Sequence, residues 1–462
     1  MRKHVLIVFM WIIVSLCMMG CSSSGGGGGG GEIDHDIWTW ISGGNTVDQN
    51  GTYGTQGVAA GTNVPGGRVN SIGWIDSTEN LWVFGGDGQD SAGSSGYLND
   101  LWSYDGANWT WISGSNTVDQ SGTYGTLGVA HSDNIPGARN ASVSWIDSSN
   151  NLWLFGGNGY DSAGYGDKLN DLWKYDGTNW TWMSGSNVID QSGNYGTKGT
   201  PAGTNVPGAR WYSLSWTDSS GDFWLFGGQG YDSTGTYGEL NDLWRFDGTD
   251  WTWIAGTNAA DQNGTYGTLG VADGANVPGG RYRAIGCIDS SDDLWVFGGW
   301  GWDSAGAEQR MNDLWKFDGT NWTWISGSKT VGQSGTYGTK RTPDGSNVPG
   351  SRQSGASWID SSDNLWLFGG YGKDSAGSTG RLNDLWTFDG TNWTWISGGN
   401  TVNQSGIYGT QGDADISNIP GSRNGIIGWK DSSDDFWVFG GQGYDAAGSL
   451  GSLNDLWRYE LP

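Results

Sequence analysis

The strongest constraint on this chain is a period. The stretch Asn-Asp-Leu-Trp occurs six times, its Asn at Asn99, Asn170, Asn241, Asn312, Asn383 and Asn454, each 71 residues after the last. Six such periods account for Ile37 to Pro462 without insertion or deletion. A fixed long period means one supersecondary unit copied and packed against itself. Within a period, four segments rich in aromatic and β-branched residues are bounded by turn residues, and none has a helical period. In the second unit the expected strands are Asn140 to Trp145, Leu152 to Phe155 closed by Gly156-Gly157, Leu172 to Tyr175, and Trp180 to Met183.

The connections alternate in length. Asp147 to Ser149 and Asp176 to Asn179 are short turns, whereas Asn158 to Lys168 and Ser184 to Arg210 are long. An up-down meander puts the two long connections on one face and the short turns on the other. Four-stranded units repeated six times predict an all-β, six-bladed β-propeller. The chain begins with a lone fourth strand, Trp38 to Ile41, and finishes with a lone third strand, Leu456 to Tyr459. Pairing these antiparallel termini completes the last blade and removes two open sheet edges.

The residues Phe155-Gly156-Gly157, Asn170-Asp171-Leu172-Trp173, Tyr175-Asp176 and Trp180 resemble the Kelch motif of galactose-oxidase-like propellers. The period is longer than the roughly 50 residues usual for Kelch, and most of the excess falls in the fourth-to-first connection. The resemblance implies that the first strand is innermost. It would set Arg68, Arg139, Arg210, Arg281, Arg352 and Arg423, one at each first-strand start, around the mouth of a central channel. Some Kelch adaptors hold acidic peptides with such arginines. The alternative is structural pairing with a matching ring in the second-to-third connections: Asp90, Asp161, Asp232, Asp303, Asp374 and Asp445.

The N-terminus reads as an address. Arg2 and Lys3 precede an apolar run that ends in Met18-Met19-Gly20-Cys21, which resembles a bacterial lipoprotein lipobox. Residues 1–20 are then a signal peptide and Cys21 the lipidated residue. Residues 21–36 form a Ser/Gly-rich flexible tether, and 37–462 the propeller. Ser22 after the Cys points, by resemblance, to the outer membrane. With a formal charge of −26 the chain has no basic nucleic-acid footprint, and an anionic surface repels it, so membrane contact is through the lipid only. Cys287 has no partner in the mature chain, and the expected state is a monomer.

Of 33 Trp, all but four sit in columns shared between repeats, where they fill space between wedge-shaped blades. Trp11 lies in the signal, which leaves Trp211, Trp300 and Trp302. The columns around them break sixfold symmetry, and Trp211, Tyr212, Tyr282, Arg283, Trp300 and Trp302 form the candidate ligand-binding rim. The competing reading is drift among near-identical repeats. Galactose oxidase holds copper with two Tyr and two His; here His35 and His131 are too dispersed to make that site. No hydrolase or zinc motif occurs, and no metal or cofactor is expected. Sialic-acid mutarotases are also exported six-bladed Kelch proteins, and for such chemistry Glu239 and Glu308 are the available carboxylates. The Asp289-Ser290-Ser291-Asp292-Asp293 turns could hold Ca²⁺ or simply be solvated. The expected function is a lipid-anchored binding or scaffold protein that recognises a carbohydrate or protein ligand on the long-loop face. The alternative is a sugar-modifying enzyme, such as a mutarotase-like epimerase.

Overall fold

The computed structural model describes residues 37–461; the expected signal peptide, the lipidated Cys21 and the tether lie outside them. The described chain is all β, in six antiparallel sheets, one per blade. Blades one to six begin at Arg68, Arg139, Arg210, Arg281, Arg352 and Arg423. In the second blade the strands run Arg139–Asn140 with Val143–Ile146, then Leu152–Tyr160, Gly166–Tyr175 and Trp180–Ser184. The fourth strand of the sixth blade is supplied by the other end of the chain. Ile37–Ser42 pairs with Leu450–Glu460 in the register Trp38↔Tyr459 and Trp40↔Trp457.

Two expected strand boundaries differ from those observed, and both differences shape the site. The double glycine does not end the second strand. Leu169 pairs with Gly157 and Leu172 with Phe155, so Asn170 and Asp171 together face Gly156. This is a β-bulge, and Gly156 and Gly157 carry it at φ +63° and +100°, values that glycine adopts without steric penalty. The strand continues to Tyr160, and the connection shrinks to residues 161–165. Trp300 and Trp302 are therefore strand residues, at the end of Leu294–Trp302. The first strand, expected to be continuous, is broken after Asn140, where Ala141 turns left-handed at φ +53°.

That break recurs in every blade and builds the axis of the molecule. Asn70, Ala141, Tyr212, Arg283, Ser354 and Gly425 all have φ between +53° and +66°. Each amide donates to the carbonyl of the equivalent residue one blade back, at 2.8–3.0 Å, and Asn70 donates to Gly425. The result is a closed hoop of six backbone hydrogen bonds. The residues of the hoop and those after them line a central cavity of about 120 Å³.

The cores lie between blades. Ile72, Trp74 and Phe84 of the first blade pack on Leu152, Leu154, Trp173 and Trp180 of the second. The Trp74 indole donates across the same seam to the Trp145 carbonyl at 2.8 Å. Each buried aromatic contributes on the order of 1.5–3 kcal/mol. The extra length of the period guards the outer edge. The loop before the second blade closes on itself at Thr123↔Ile135 and bridges to that blade's outer strand at His131↔Trp180. Gly128 N–H and Asn134 Nδ2–H donate to the carbonyls of Trp182 and Trp180, at 2.8 and 3.0 Å. An edge strand that would expose unpaired amides and carbonyls is thereby covered.

Candidate functional site

The six arginines of the first-strand starts are not at the channel mouth. Each is at most 1% exposed. Arg210 donates through Nη1 and Nη2 to both carboxylate oxygens of Asp242, at 2.8 and 2.7 Å, and through Nε and Nη1 to the carbonyls of Gly208 and Gly227. Tyr195 Oη–H and Trp244 Nε1–H donate to the same Asp242 oxygen. Equivalent networks join Arg68, Arg139, Arg281, Arg352 and Arg423 to Asp100, Asp171, Asp313, Asp384 and Asp455. The pairing is structural, but its partner is the Asp of the Asn-Asp bulge, which the extra residue turns toward the guanidinium. The ring expected as partner does other work: Asp232 Oδ1 accepts the amides of Thr234 and Thr236 and holds the 232–236 turn. On the opposite face Asp289 is likewise spent on its own turn, accepting from Ser291, Asp293 and Trp295.

The six rim candidates do come together. The rings of Trp211 and Tyr212 lie 4.5 Å apart and those of Tyr212 and Tyr282 6.2 Å. Arg283 spreads its guanidinium 4.0 Å above Tyr212 and donates to the Tyr212 hydroxyl at 2.8 Å. Tyr282 is the cross-strand partner of Trp300. Tyr212 and Arg283 sit in the left-handed hoop, at φ +54° and +57°. A bulky residue there is strained by roughly 1–2 kcal/mol relative to glycine, and such strain clusters at functional positions. Drift alone would favour the glycine and asparagine found at Gly425 and Asn70.

Sequence reading singled out Glu239 as a loop carboxylate but missed the column to which it belongs, the residue before each Leu-Asn-Asp or Met-Asn-Asp: Tyr97, Lys168, Glu239, Arg310, Arg381 and Ser452. The signal was available, since this column also breaks sixfold symmetry. It was hidden because the third strand was expected to start after the bulge. Glu239 and Arg310 belong to the site. Glu239 is 6% exposed and accepts from Gln229 Nε2 at 3.0 Å and from Trp302 Nε1 at 3.1 Å. Its carboxyl is pushed up to about 7, chiefly by burial and then by the neighbouring Asp261, with the Trp302 indole pulling the other way. Gln229 Oε1 in turn accepts from Trp211 Nε1 at 3.1 Å and Tyr237 Oη at 3.0 Å. Glu308 accepts from the Trp300 indole. Arg310 lies 5.0 Å over Trp300 and 4.5 Å over Tyr371. His131 is remote from all of these, in the edge-covering loop.

No family model matches the chain, and no curated protein does. Among solved structures, that of YjhT aligns with a TM-score of 0.50 at 14% identity, covering 85% of this chain and 95% of that one. A copper-bound fungal alcohol oxidase of the AA5 family aligns with a TM-score of 0.45 at 13% identity, covering 89% and 77%. The likeness to YjhT concerns the fold: the molecule is a six-bladed propeller that fits the Kelch type.

Proposed function

We propose that this protein is a lipid-anchored binding protein of the bacterial cell envelope, held by Cys21 to the outer membrane. Its ligand is a carbohydrate, taken on the rim of the third and fourth blades. One observation carries the reading: Trp211, Tyr212, Tyr282 and Trp300, aromatic residues that break sixfold symmetry, come together across the third and fourth blades, with Tyr212 lining the central cavity. Flat aromatic faces interleaved with fixed carboxylate, amide and guanidinium groups suit a solute with apolar ring faces and hydroxyl edges.

The test is a glycan array probed with the detergent-solubilised full-length protein, followed by calorimetry on the hits. Trp302→Ala removes a half-buried anchor worth about 2 kcal/mol, so affinity is expected to fall about thirtyfold. The matched control Trp295→Ala, a blade-core position, is expected to cost about 3–5 kcal/mol of stability. Unchanged affinity in Trp211→Ala, Trp300→Ala and Trp302→Ala would remove the site from this rim. Anchoring is checked separately: Cys21→Ala is expected to leave the membrane fraction, and persistence there in high salt refutes the lipid anchor.

A second reading, acid–base chemistry on a bound sugar, is favoured by Glu239 alone. A carboxyl that titrates near neutrality can both give and take a proton. Exchange spectroscopy of candidate sugars over wild type and Glu239→Gln decides it: faster interconversion of sugar forms that vanishes in the variant supports catalysis.

A further inference from the structure

The chain is strongly acidic, at −26, and many of its cations are matched to carboxylates. Six arginines are locked in the buried pairs described above. Lys168, Arg245, Lys316, Lys430 and Arg458 each have an Asp within 4 Å. Like Lys198, Lys340 and Arg381, which also lie on aromatic faces, Arg283 and Arg310 are not matched in this way. Among the described residues neither makes an ion pair, and the Nε–H of each is buried without an acceptor. Both belong to the fourth blade, and both are held by aromatic faces: Arg283 by Tyr212 and Tyr282, Arg310 by Trp300 and Tyr371.

The carboxylates nearby are turned elsewhere. Glu239 faces the Trp302 indole and Glu308 the Trp300 indole. The rim has thus sorted its charges, acids onto indole N–H groups and guanidiniums onto ring faces. A guanidinium stacked through its face keeps its in-plane N–H donors for a second partner, and their fork matches a carboxylate. Two such groups on cross-strand partner rings, Tyr282 and Trp300, repel each other; Arg310 is held below the usual arginine range chiefly by burial, with Arg283 adding to it against the pull of Tyr371 and Tyr282. An arrangement that costs energy when empty is offset when an anion arrives.

We infer that Arg283 and Arg310 form an anion subsite that receives the carboxylate of an acidic saccharide, a hexuronate unit, whose ring lies against Trp300 and Tyr282. This deepens the carbohydrate reading above and rests on it. A saccharide is favoured over a peptide because the subsite opens beside a small polar cavity, about 120 Å³, lined by Ser71, Ser142, Ser213 and Ser354. The Ser71, Ser142 and Ser213 hydroxyls donate to the carbonyls of Gly85, Gly156 and Gly227, which leaves their oxygens as acceptors for the hydroxyl edge of a sugar.

The experiment is calorimetry of the detergent-solubilised full-length protein with D-galacturonate and D-glucuronate, against D-galactose, D-glucose, acetate and an acidic peptide. Uronates are expected to bind about tenfold or more tightly than the neutral sugars, with a preference that salt erodes. Arg310→Gln should abolish the preference with an unchanged melting temperature, and Arg310→Lys should restore part of it. Equal binding of acid and neutral sugars, or a preference that survives Arg310→Gln, overturns the anion subsite. If neutral sugars bind and Trp302→Ala weakens them, the carbohydrate reading stands without it. Acetate binding as tightly as the uronates reduces the subsite to an adventitious anion site, and tighter binding of the acidic peptide makes the partner a protein; either overturns the proposal. If no sugar of either kind binds at millimolar concentration, both readings fall together.

Discussion

Glu239 is the residue at which this site senses solution conditions. Its carboxyl sits at about 7 in the folded protein, raised by burial with Asp261 and Glu308 nearby, against about 4.3 in an unfolded chain. Between these values this carboxyl holds more proton in the native state than in the unfolded one, so its contribution to stability falls as pH rises from about 4 to 7 and then levels off. Glu239→Gln removes the titration. The variant is expected to match wild type at pH 4 and to melt above it at pH 8, as thermal unfolding across pH would show. A variant that melts below wild type at pH 8 would mean that the charged form is the one the fold supports. The same residue shows how local the penalty for function is. Elsewhere in the third blade Tyr195, Arg210, Asp242 and Trp244 repeat the network of the other blades and satisfy one another.

At the scale of the element, the informative unit is the broken first strand. Its left-handed residue is obliged to donate to one neighbouring blade and accept from the other, whatever side chain it bears. Ser354 occupies that position at φ +56°, and its buried hydroxyl has no hydrogen-bond partner. Ser354→Gly relieves both penalties at the hoop position next to Arg283 and is expected to stabilise the protein by about 1 kcal/mol. Chemical denaturation measures this, and a loss of stability would show that the hydroxyl is needed in the channel. This element was also where sequence reading reached its limit. The strands, their order and the closure at Trp38 were legible, because period-two burial and turn residues write themselves into composition. The bulge at Asn170-Asp171 and the break at Ala141 were not, because a residue that leaves the ladder looks locally like its neighbours. Missing the bulge sent the arginines to the wrong aspartates, left Glu239 reading as a loop carboxylate, and hid Arg310. The rim at Trp211, Tyr282, Trp300 and Trp302 was found because it needed no geometry, only the observation that six copies disagree.

At the scale of the molecule, the ring is held shut by one strand. Ile37–Ser42 contributes Trp38, 2% exposed, to a core shared with Phe368, Trp457 and Tyr459. Deleting Ile37 to Ser42 opens the edge of Leu450–Glu460 and empties that core, so the expected outcome is a steep loss of melting temperature with aggregation, read by calorimetry and light scattering. A monomeric deletion variant that melts with wild type would mean that the five complete blades support the ring by themselves. The axial hoop has a consequence of a different kind. Genes built from near-identical tandem copies gain and lose whole copies by unequal recombination, and such an event leaves every reading frame, strand and blade core intact. What it cannot leave intact is a circle of six amides each bonded to the copy before it, which must be redrawn at another radius for five or seven. The hoop makes copy number a folding property, so that an error of counting in the gene becomes a visible defect at the centre of the protein.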